Sequence, residues 1–255
     1  MTNVVFIGAG NLATSLAIEM KRCEINIKQI YSRTKESAKL LADKIDCGWT
    51  TDIKEVSTAA DLYIFSVKDS ALAELISSIK PNNGLWVHTA GSIPISVFEG
   101  FAERYGVLYP LQTFSKSRSV NFSNIPFLIE AKYAEDLSLL EELAGRITND
   151  VRFLNSEQRK QVHLSAVFAC NFTNHLYHIA WGLLEDKDIS PDILLPLISE
   201  TTAKVHNMNP AKAQTGPAIR YDENVINKHL DSLEDEGIRE IYLRLSESIH
   251  KMNNK

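Results

Sequence analysis

Residues 4–13 read Val4-Val5-Phe6-Ile7-Gly8-Ala9-Gly10-Asn11-Leu12-Ala13. The four apolar residues at the start predict a short buried strand, and the two glycines predict a tight turn after it. Beyond the turn, Leu12, Leu16 and Met20 recur at the spacing of one helix face. This stretch therefore predicts a strand, a glycine turn and a helix in direct succession.

The alternation of strand and helix continues through the first 154 residues. Apolar runs predict further strands at 27–31, 62–65, 85–87, 106–109, 126–129 and 151–154, and helices at about 35–43, 71–79 and 134–147. Strands that alternate with helices in this way build a parallel sheet covered on both faces. The predicted fold class is α/β, with a doubly wound Rossmann sheet over residues 1–154.

An all-helical domain is predicted over residues 155–255. Residues 156–187 contain no proline and carry apolar side chains at helical intervals, which predicts one long helix. The middle of this helix is apolar nearly all round, which favours burial against other helices or a second subunit. Shorter helices are expected at about 191–206, 222–230 and 238–251, and the domain is expected to form a homodimer.

The composition argues against several classes of protein. The chain has 255 residues, 44% of them apolar, and a formal net charge of -5, with no Lys/Arg block that would neutralise a nucleic-acid backbone. No charged leader precedes the first strand, and no apolar stretch approaches the ~18 residues needed to span a bilayer, so a cytoplasmic protein without membrane partners is expected. Cys23, Cys47 and Cys170 are far apart and odd in number, which favours free thiols and no metal site.

The glycine turn fits the pattern G-x-G-x-x-A of a dinucleotide site. Gly8 permits a tight turn, Gly10 lets the backbone approach a diphosphate, and the small Ala13 allows close contact of helix and strand. The helix that follows presents unpaired N–H groups and a positive dipole to the phosphates. Five residues are therefore predicted to bind the diphosphate of a nicotinamide coenzyme: Gly8, Ala9, Gly10, Asn11 and Leu12. The alternative is an ordinary glycine turn.

The end of the second strand indicates which coenzyme binds. An NAD site usually places Asp or Glu there, on the ribose 2′-hydroxyl, whereas this chain has Ser32, Arg33 and Thr34. Two hydroxyls and a guanidinium suit a 2′-phosphate, so NADP is predicted over NAD. Alternatively, Thr34 caps the next helix and Arg33 is a solvated side chain.

Two further loops follow strands at the edge where open α/β sheets bind their ligands. The first begins with Ser66, Val67 and Lys68, and the second contains Thr89, Ala90 and Gly91. Both loops are predicted to flank the nicotinamide half of the coenzyme. The alternative is ordinary loop chemistry, with Asp69 or Ser70 as a helix cap.

Polar side chains interrupt the apolar surface of the long helix at His163, Asn171 and Asn174. A regular rotation of about 100° per residue places these three on a common face. His163 is predicted to be the proton donor because imidazole titrates near neutral pH. Asn171 is predicted to orient the substrate or the histidine, and Asn174 to bind substrate. The alternative for His163 is a hydrogen-bonded core histidine.

Five segments, spread over nearly the whole chain, match a known pattern. They are Val67-Lys68-Asp69, His88-Thr89-Ala90-Gly91-Ser92, Pro110-Leu111-Gln112-Thr113-Phe114, His163-Leu164-Ser165-Ala166-Val167-Phe168-Ala169-Cys170-Asn171 and Thr215-Gly216-Pro217-Ala218-Ile219-Arg220-Tyr221-Asp222. In these segments the chain resembles Rossmann-like proteins that carry a C-terminal domain of unknown function numbered 2520. Its first residues also resemble pyrroline-5-carboxylate reductase and its relatives in the 6-phosphogluconate dehydrogenase-like superfamily.

The resemblance implies an NAD(P)-binding domain, a helical domain that usually dimerises, and an active cleft between the two. Three residues depart from the family pattern: Lys68 stands where Pro is usual, Tyr109 where His is usual and Tyr221 where Gly is usual.

Four more residues are assigned to the substrate. We expect Gln112, Thr215 and Gly216 to bind substrate, and Arg220 to pair with a substrate carboxylate. Alternatively, Arg220 pairs with Asp222 or with a helix end.

The leading hypothesis is hydride transfer between NADP(H) and a small carbonyl or imine compound. A ketopantoate or pyrroline-5-carboxylate reductase-like activity is the second, although the Ser/Thr-rich signature of the latter enzymes is absent. The third is an NADP(H)-binding sensor or scaffold without turnover, because a binding loop is easier to recognise than a catalytic one.

Overall fold

The computed structural model describes residues 2–254 and divides them into two compact units. The first unit ends at Cys170 and the second begins at Asn171. The first unit extends beyond the boundary predicted at residue 154, because the helix Ser156–Ala166 is joined to the sheet by the ion pair of Arg159 and Glu130. In the part of the chain that is described, no helix combines the length and apolarity needed to cross a membrane.

One eight-stranded sheet forms the centre of the first unit. Its strands are β1 (Asn3–Ile7), β2 (Asn26–Tyr31), β3 (Gly48–Thr50), β4 (Leu62–Phe65), β5 (Leu85–His88), β6 (Tyr105–Pro110), β7 (Phe127–Ala131) and β8 (Val151–Phe153). They lie in the order β3-β2-β1-β4-β5-β6-β7-β8. The first six are mutually parallel in the order of a dinucleotide-binding Rossmann sheet, so the predicted α/β class is confirmed.

The sheet differs from the prediction at its far edge. β7 runs antiparallel to β6, and β8 is parallel to β7. The direction reverses because the link between β6 and β7 contains no crossover helix, which a parallel neighbour usually requires. β3 was not predicted, since three residues are too few to show a periodic pattern.

Helices cover both faces of this sheet. They are α1 (Asn11–Arg22), α2 (Lys35–Ile45), α3 (Asp69–Ser78), α4 (Ala134–Gly145) and α5 (Ser156–Ala166). Alternate residues of β1 enter different apolar clusters: Val4 and Phe6 pack on one face, and Val5 and Ile7 on the other. Burial on both faces explains why β1 reads as an unbroken apolar run.

The second unit is all helical over its described residues. A π-helix (Val167–Phe172) begins in the first unit and ends in the second. It is followed by α6 (Thr173–Glu185), α7 (Leu195–Asn207), α8 (Pro210–Ala213), α9 (Pro217–Arg220), α10 (Glu223–Ser232) and α11 (Glu236–Asn253). The predicted all-α C-terminal region is therefore confirmed. The four-residue helices α8 and α9 were not predicted.

A π-helix interrupts the regular helix on which a shared face of His163, Asn171 and Asn174 is predicted. A π-helix bonds residue i to residue i+5 and therefore turns less per residue than an α-helix. The regular rotation of about 100° per residue therefore does not apply over the whole interval from His163 to Asn171, and a common face of the three residues stays a prediction.

Candidate functional site

Gly8 brings three strands of the sheet into close contact. Its N–H donates to the carbonyl of Tyr31 at 2.8 Å, and the N–H of Ser66 donates to the carbonyl of Ile7, also at 2.8 Å. The backbone of Gly8 has φ of 125°, and a Cβ atom there would overlap the carbonyl oxygen of Ser66. Only glycine satisfies both constraints, because a side chain strains the backbone and has no space.

Gly10 leaves an open cradle at the amino end of α1. Its backbone is extended, and it is the N-cap residue of the helix. Because glycine has no side chain, no side-chain capping bond satisfies the first N–H groups of α1. A Cβ atom at Gly10 would meet nothing within 4 Å. The first N–H groups of α1 and the positive end of the helix dipole are therefore available to an anion.

A cleft of about 560 Å³ opens beside this cradle. Of the predicted coenzyme-binding residues, all but Thr34 and Gly91 line it: Gly8, Ala9, Gly10, Asn11, Leu12, Ser32, Arg33, Ser66, Val67, Lys68, Thr89 and Ala90. Thr34 instead occupies the position before α2, without a side-chain capping bond. Thr34 therefore has the position that its alternative role as a helix cap requires, but its side chain makes no capping bond.

Side-chain contacts hold the two loops of the cleft together. The hydroxyl of Thr89 donates to that of Ser66 at 3.2 Å, and the hydroxyl of Ser92 donates to the carboxylate of Asp69 at 2.6 Å. These bonds join the loop after β5 to the end of β4 and the start of α3. The predicted nicotinamide loops therefore form one wall.

His88, the last residue of β5, holds the loop that follows this strand by a hydrogen bond. It is fully buried, and its Nδ1 accepts a hydrogen bond from the N–H of Ala90 at 3.1 Å. Burial, together with the nearby Arg159, lowers the pKa of His88 to about 3, against the raising effect of the Pro94 carbonyl. The imidazole is therefore neutral at physiological pH and supports the loop rather than donating a proton.

Gly91 lies against the ring of His163 instead of lining the cleft. A Cβ atom at Gly91 would approach Nδ1 of His163 to 2.5 Å. The same Nδ1 lies 3.0 Å from the hydroxyl of Tyr109, at the end of β6. The missing side chain at Gly91 thus makes room for the ring of His163, one residue after Ala90, which lines the cleft.

A buried ion pair fixes the helix that carries His163. Arg159, one turn before His163 on α5, is fully buried and pairs with Glu130 on β7. Arg159 also donates to the carbonyl of Ile93, and the N–H of Ile95 donates to the hydroxyl of Ser156 at 3.0 Å. These bonds hold α5 at a fixed place on the sheet.

Five residues line the cleft although the sequence analysis does not assign them to it: Tyr31, Ser37, Ala71, Leu75 and Lys116. Lys116 comes from the loop between β6 and β7, which approaches the glycine turn because the Asn11 amide donates to the Phe114 carbonyl at 3.0 Å. The sequence analysis identified residues 110–114 as a matching segment, and this segment is the part of the sequence that indicates a role for the loop.

Gln112 does not line the cleft at the glycine turn. It lines a neighbouring cavity of about 410 Å³ with Phe114 and Arg118. Its side-chain oxygen accepts from the N–H of Thr113 at 2.8 Å. Its predicted contact with substrate stays a prediction.

The other predicted site residues belong to the second unit. Asn171 in the π-helix and Asn174 on α6 are exposed. Thr215 and Gly216 immediately precede α9, and Arg220 is its last residue; all three are exposed. Asp222, the alternative partner of Arg220, accepts a capping bond from the N–H of Val225 at 3.3 Å.

The cleft contains cations, hydroxyls and helix N–H groups, which suit a phosphate-bearing ligand. Over residues 2–254, no group of three or more His, Cys, Asp or Glu is arranged to hold a metal ion. Arg33, Lys68 and Lys116 line the cleft, and its carboxylate, Asp69, is bonded to Ser92. The arrangement can bind a dinucleotide along the carboxyl edge of the sheet. His163 does not line the cleft, but it contacts Gly91, the residue after the lining residue Ala90.

Comparison with known proteins gives the family. Residues 3–91 match the model described as NADP oxidoreductase, coenzyme F420-dependent, and residues 125–249 match the domain of unknown function DUF2520. None of the curated protein sequences compared with the chain matches it. The crystal structure of a candidate NADP oxidoreductase from Bacteroides fragilis is 54% identical, with 98% of each chain covered and a TM-score of 0.94.

More distant structures share the fold alone. A pyrroline-5-carboxylate reductase from Coxiella burnetii is 16% identical, with a TM-score of 0.59 and coverage of 99% of this chain and 97% of that chain. A reductive aminase from Aspergillus terreus, solved with NADPH, is 12% identical, with a TM-score of 0.66 and coverage of 100% and 88%. The chain belongs to the family of Rossmann-type oxidoreductases that carry a C-terminal DUF2520 domain.

Proposed function

We propose that the protein is an NADP(H)-dependent oxidoreductase that transfers a hydride to or from a small carbonyl or imine compound. The observation that carries the proposal is the cleft in which the open cradle at Gly10, the end of β2 and the loop after β5 form one continuous surface. The Bacteroides fragilis relative, described as a candidate NADP oxidoreductase, supports the same reaction class.

Different residues of the cleft suit different parts of the NADP(H) molecule. The open side of Gly10 and the uncapped N–H groups of α1 suit the diphosphate. Ser32, Arg33 and Ser37 line the cleft beyond β2, where hydroxyl and guanidinium donors suit a 2′-phosphate. When bound, the reduced nicotinamide supplies the hydride.

His163 is proposed as the proton donor to the substrate. It is half-buried on an anchored helix and packs on Gly91, next to the Ala90 wall of the cleft. A donor held in this way needs no reorganisation when the substrate becomes reduced.

The coenzyme part of the proposal is tested by titration calorimetry with Arg33→Ala. We expect NADPH to bind roughly 10- to 100-fold more weakly, the range for loss of a charge-assisted hydrogen bond, while NADH binding stays unchanged. Lys35→Ala is the matched control, because it removes a neighbouring cation that does not line the cleft. Unaltered NADPH affinity in Arg33→Ala contradicts the proposed 2′-phosphate contact.

The catalytic part is tested by turnover of ketopantoate, pyrroline-5-carboxylate and small ketones and imines with NADPH. His163→Ala should lower kcat by ~10²-fold or more and leave the Kd of NADPH intact, as expected for loss of a general acid. Tight coenzyme binding without oxidation by any of these compounds would favour a non-catalytic sensor.

A further inference from the structure

A tyrosine and a histidine from different elements meet beside the cleft. The hydroxyl of Tyr109 on β6 lies 3.0 Å from Nδ1 of His163 on α5. Tyr109 is only 8% exposed, whereas His163 is half-buried. The histidine is therefore the more accessible member of the pair.

The burial of Tyr109 favours one direction for this hydrogen bond. A buried phenol O–H needs an acceptor, and among the described residues Nδ1 of His163 provides one. Burial raises the pKa of Tyr109, which keeps the phenol protonated. Nδ1 then accepts the phenol hydrogen, and Nε2 carries the N–H of the neutral ring.

We propose that Tyr109 and His163 form a proton relay in which a neutral His163 serves as the donor. As the substrate carbon gains the hydride that a reduced nicotinamide supplies, the C=O or C=N π bond breaks. The substrate oxygen or nitrogen then takes the Nε2 proton, and Nδ1 takes the phenol proton. The products are the reduced substrate, a neutral His163 in the other tautomer and a tyrosinate, which solvent reprotonates.

This inference rests on the proposed function and adds Tyr109 to it as a positioning residue that acts through His163. Titratable groups on four surrounding elements, three of them charged, lie around the tyrosinate. Arg159 on α5 lowers the pKa of Tyr109, and Asp69 on α3 raises it. Glu130 on β7 is paired with Arg159, and His88 on β5 is neutral. The buried guanidinium is therefore the group that stabilises the phenolate.

The hydrogen bond is tested without substrate by NMR of the full-length protein labelled with ¹⁵N-histidine. Well above the pH at which imidazole titrates, we expect His163 to be the Nε2–H tautomer in the wild type and a mixture of tautomers in Tyr109→Phe. Tyr105→Phe is the control, because Tyr105 is another buried tyrosine on β6. A mixed tautomer in the wild type, or no change in Tyr109→Phe, would overturn the relay.

The relay itself is tested by the pH profile of kcat for reduction. A neutral donor keeps working as the pH rises, so the wild-type rate should hold above the range in which imidazole titrates. Tyr109→Phe should match the wild type at low pH and then fall by about tenfold per pH unit, with KM unchanged, because only imidazolium can donate. Coincident profiles overturn the relay. Absence of turnover in every variant overturns the proposed function instead, and the tautomer measurement still decides the hydrogen bond.

Discussion

Gly8 and Gly10 have different physical roles although one motif contains both. At Gly8 the backbone conformation and the Ser66 carbonyl leave no room for a side chain, so this glycine serves the fold. At Gly10 the backbone is extended and the space beside it is open, so a ligand can approach the main chain here. We therefore expect a substitution at Gly8 to change the stability of the fold and a substitution at Gly10 to change ligand binding.

The first prediction compares the two alanine variants. Gly8→Ala should lower the free energy of unfolding by roughly 3 kcal/mol or more, because backbone strain and overpacking add. Gly10→Ala should stay within about 1 kcal/mol of the wild type, since alanine adopts its conformation freely. Urea denaturation measures both values.

Gly10→Ala should nevertheless weaken NADPH binding by more than about tenfold, because its methyl group enters the space assigned to the diphosphate. Titration calorimetry measures the affinity. If this variant bound NADPH as tightly as the wild type, the diphosphate would have to lie elsewhere.

Among single residues, the sequence predicted the positions next to strand ends best. The glycine turn, Ser32 and Arg33 were found because each follows a strand whose carboxyl end lies at the binding edge. The contact of Gly91 with His163 and the bond from Tyr109 to the same ring were not predictable. They join elements that are distant in the chain, and spacing along the sequence carries no information about such contacts.

At the scale of elements, the loop between β6 and β7 reaches the cleft at the glycine turn, although its sequence has no hydrophobic period. The Asn11 amide holds it at the Phe114 carbonyl, and Lys116 lines the cleft two residues further on. Arg118 lines the separate cavity instead. The loop therefore offers two exposed cations, of which one faces the cleft.

The second prediction follows from this difference. Lys116→Gln should weaken NADPH binding by about threefold to tenfold, the contribution of a partly solvated cation near phosphates, and should reduce the salt dependence of binding. Arg118→Gln, as the matched control, should leave both quantities unchanged. Equal effects of the two substitutions would indicate general electrostatic attraction rather than a contact from Lys116.

Helices and strands with regularly spaced apolar residues were predicted well. Features that depend on contacts between distant parts of the chain or on a local change of hydrogen bonding were not. Helices α1 to α4 and most strands are apparent from apolar spacing alone. The direction of β7 depends on how its connection crosses the sheet, and the π-helix depends on a local change of hydrogen bonding. Neither leaves a trace in hydrophobic periodicity.

At the scale of the whole molecule, the buried His88 makes stability depend on pH. Burial, with Arg159, lowers its pKa to about 3 in the folded protein, whereas an unfolded histidine titrates near pH 6.5. Between these values the unfolded chain binds a proton that the folded chain does not. The stabilisation is therefore complete above about pH 6.5 and is lost progressively as the pH falls.

The third prediction quantifies this loss. His88 alone should lower the free energy of unfolding by about 2 kcal/mol between about pH 7 and pH 5. His88→Asn keeps an acceptor for the Ala90 N–H but does not titrate, so its unfolding energy should change less over the same interval. Parallel curves for the two proteins in chemical denaturation would contradict the assignment to His88.

The fourth prediction concerns assembly. Large apolar side chains are exposed on the second unit: Ile193, Leu195, Leu197, Val205 and Met208. Exposed apolar side chains at this density mark an interaction surface, and a homodimer through this unit stays our prediction. Light scattering at micromolar concentration should give about twice the mass of one chain, and Leu197→Glu should shift the protein toward the monomer. A monomeric wild type would contradict it.

The most direct test of the account is thermal unfolding of the purified protein with NADPH, with NADH and with neither. A ligand at 100 times its Kd adds about 2.7 kcal/mol of stability, which corresponds to a rise in Tm of roughly 5–10 °C for a protein of this size. We predict such a rise with NADPH and a smaller one with NADH at the same concentration. An unchanged Tm with both coenzymes would contradict the central claim that the cleft at the glycine turn binds a nicotinamide dinucleotide.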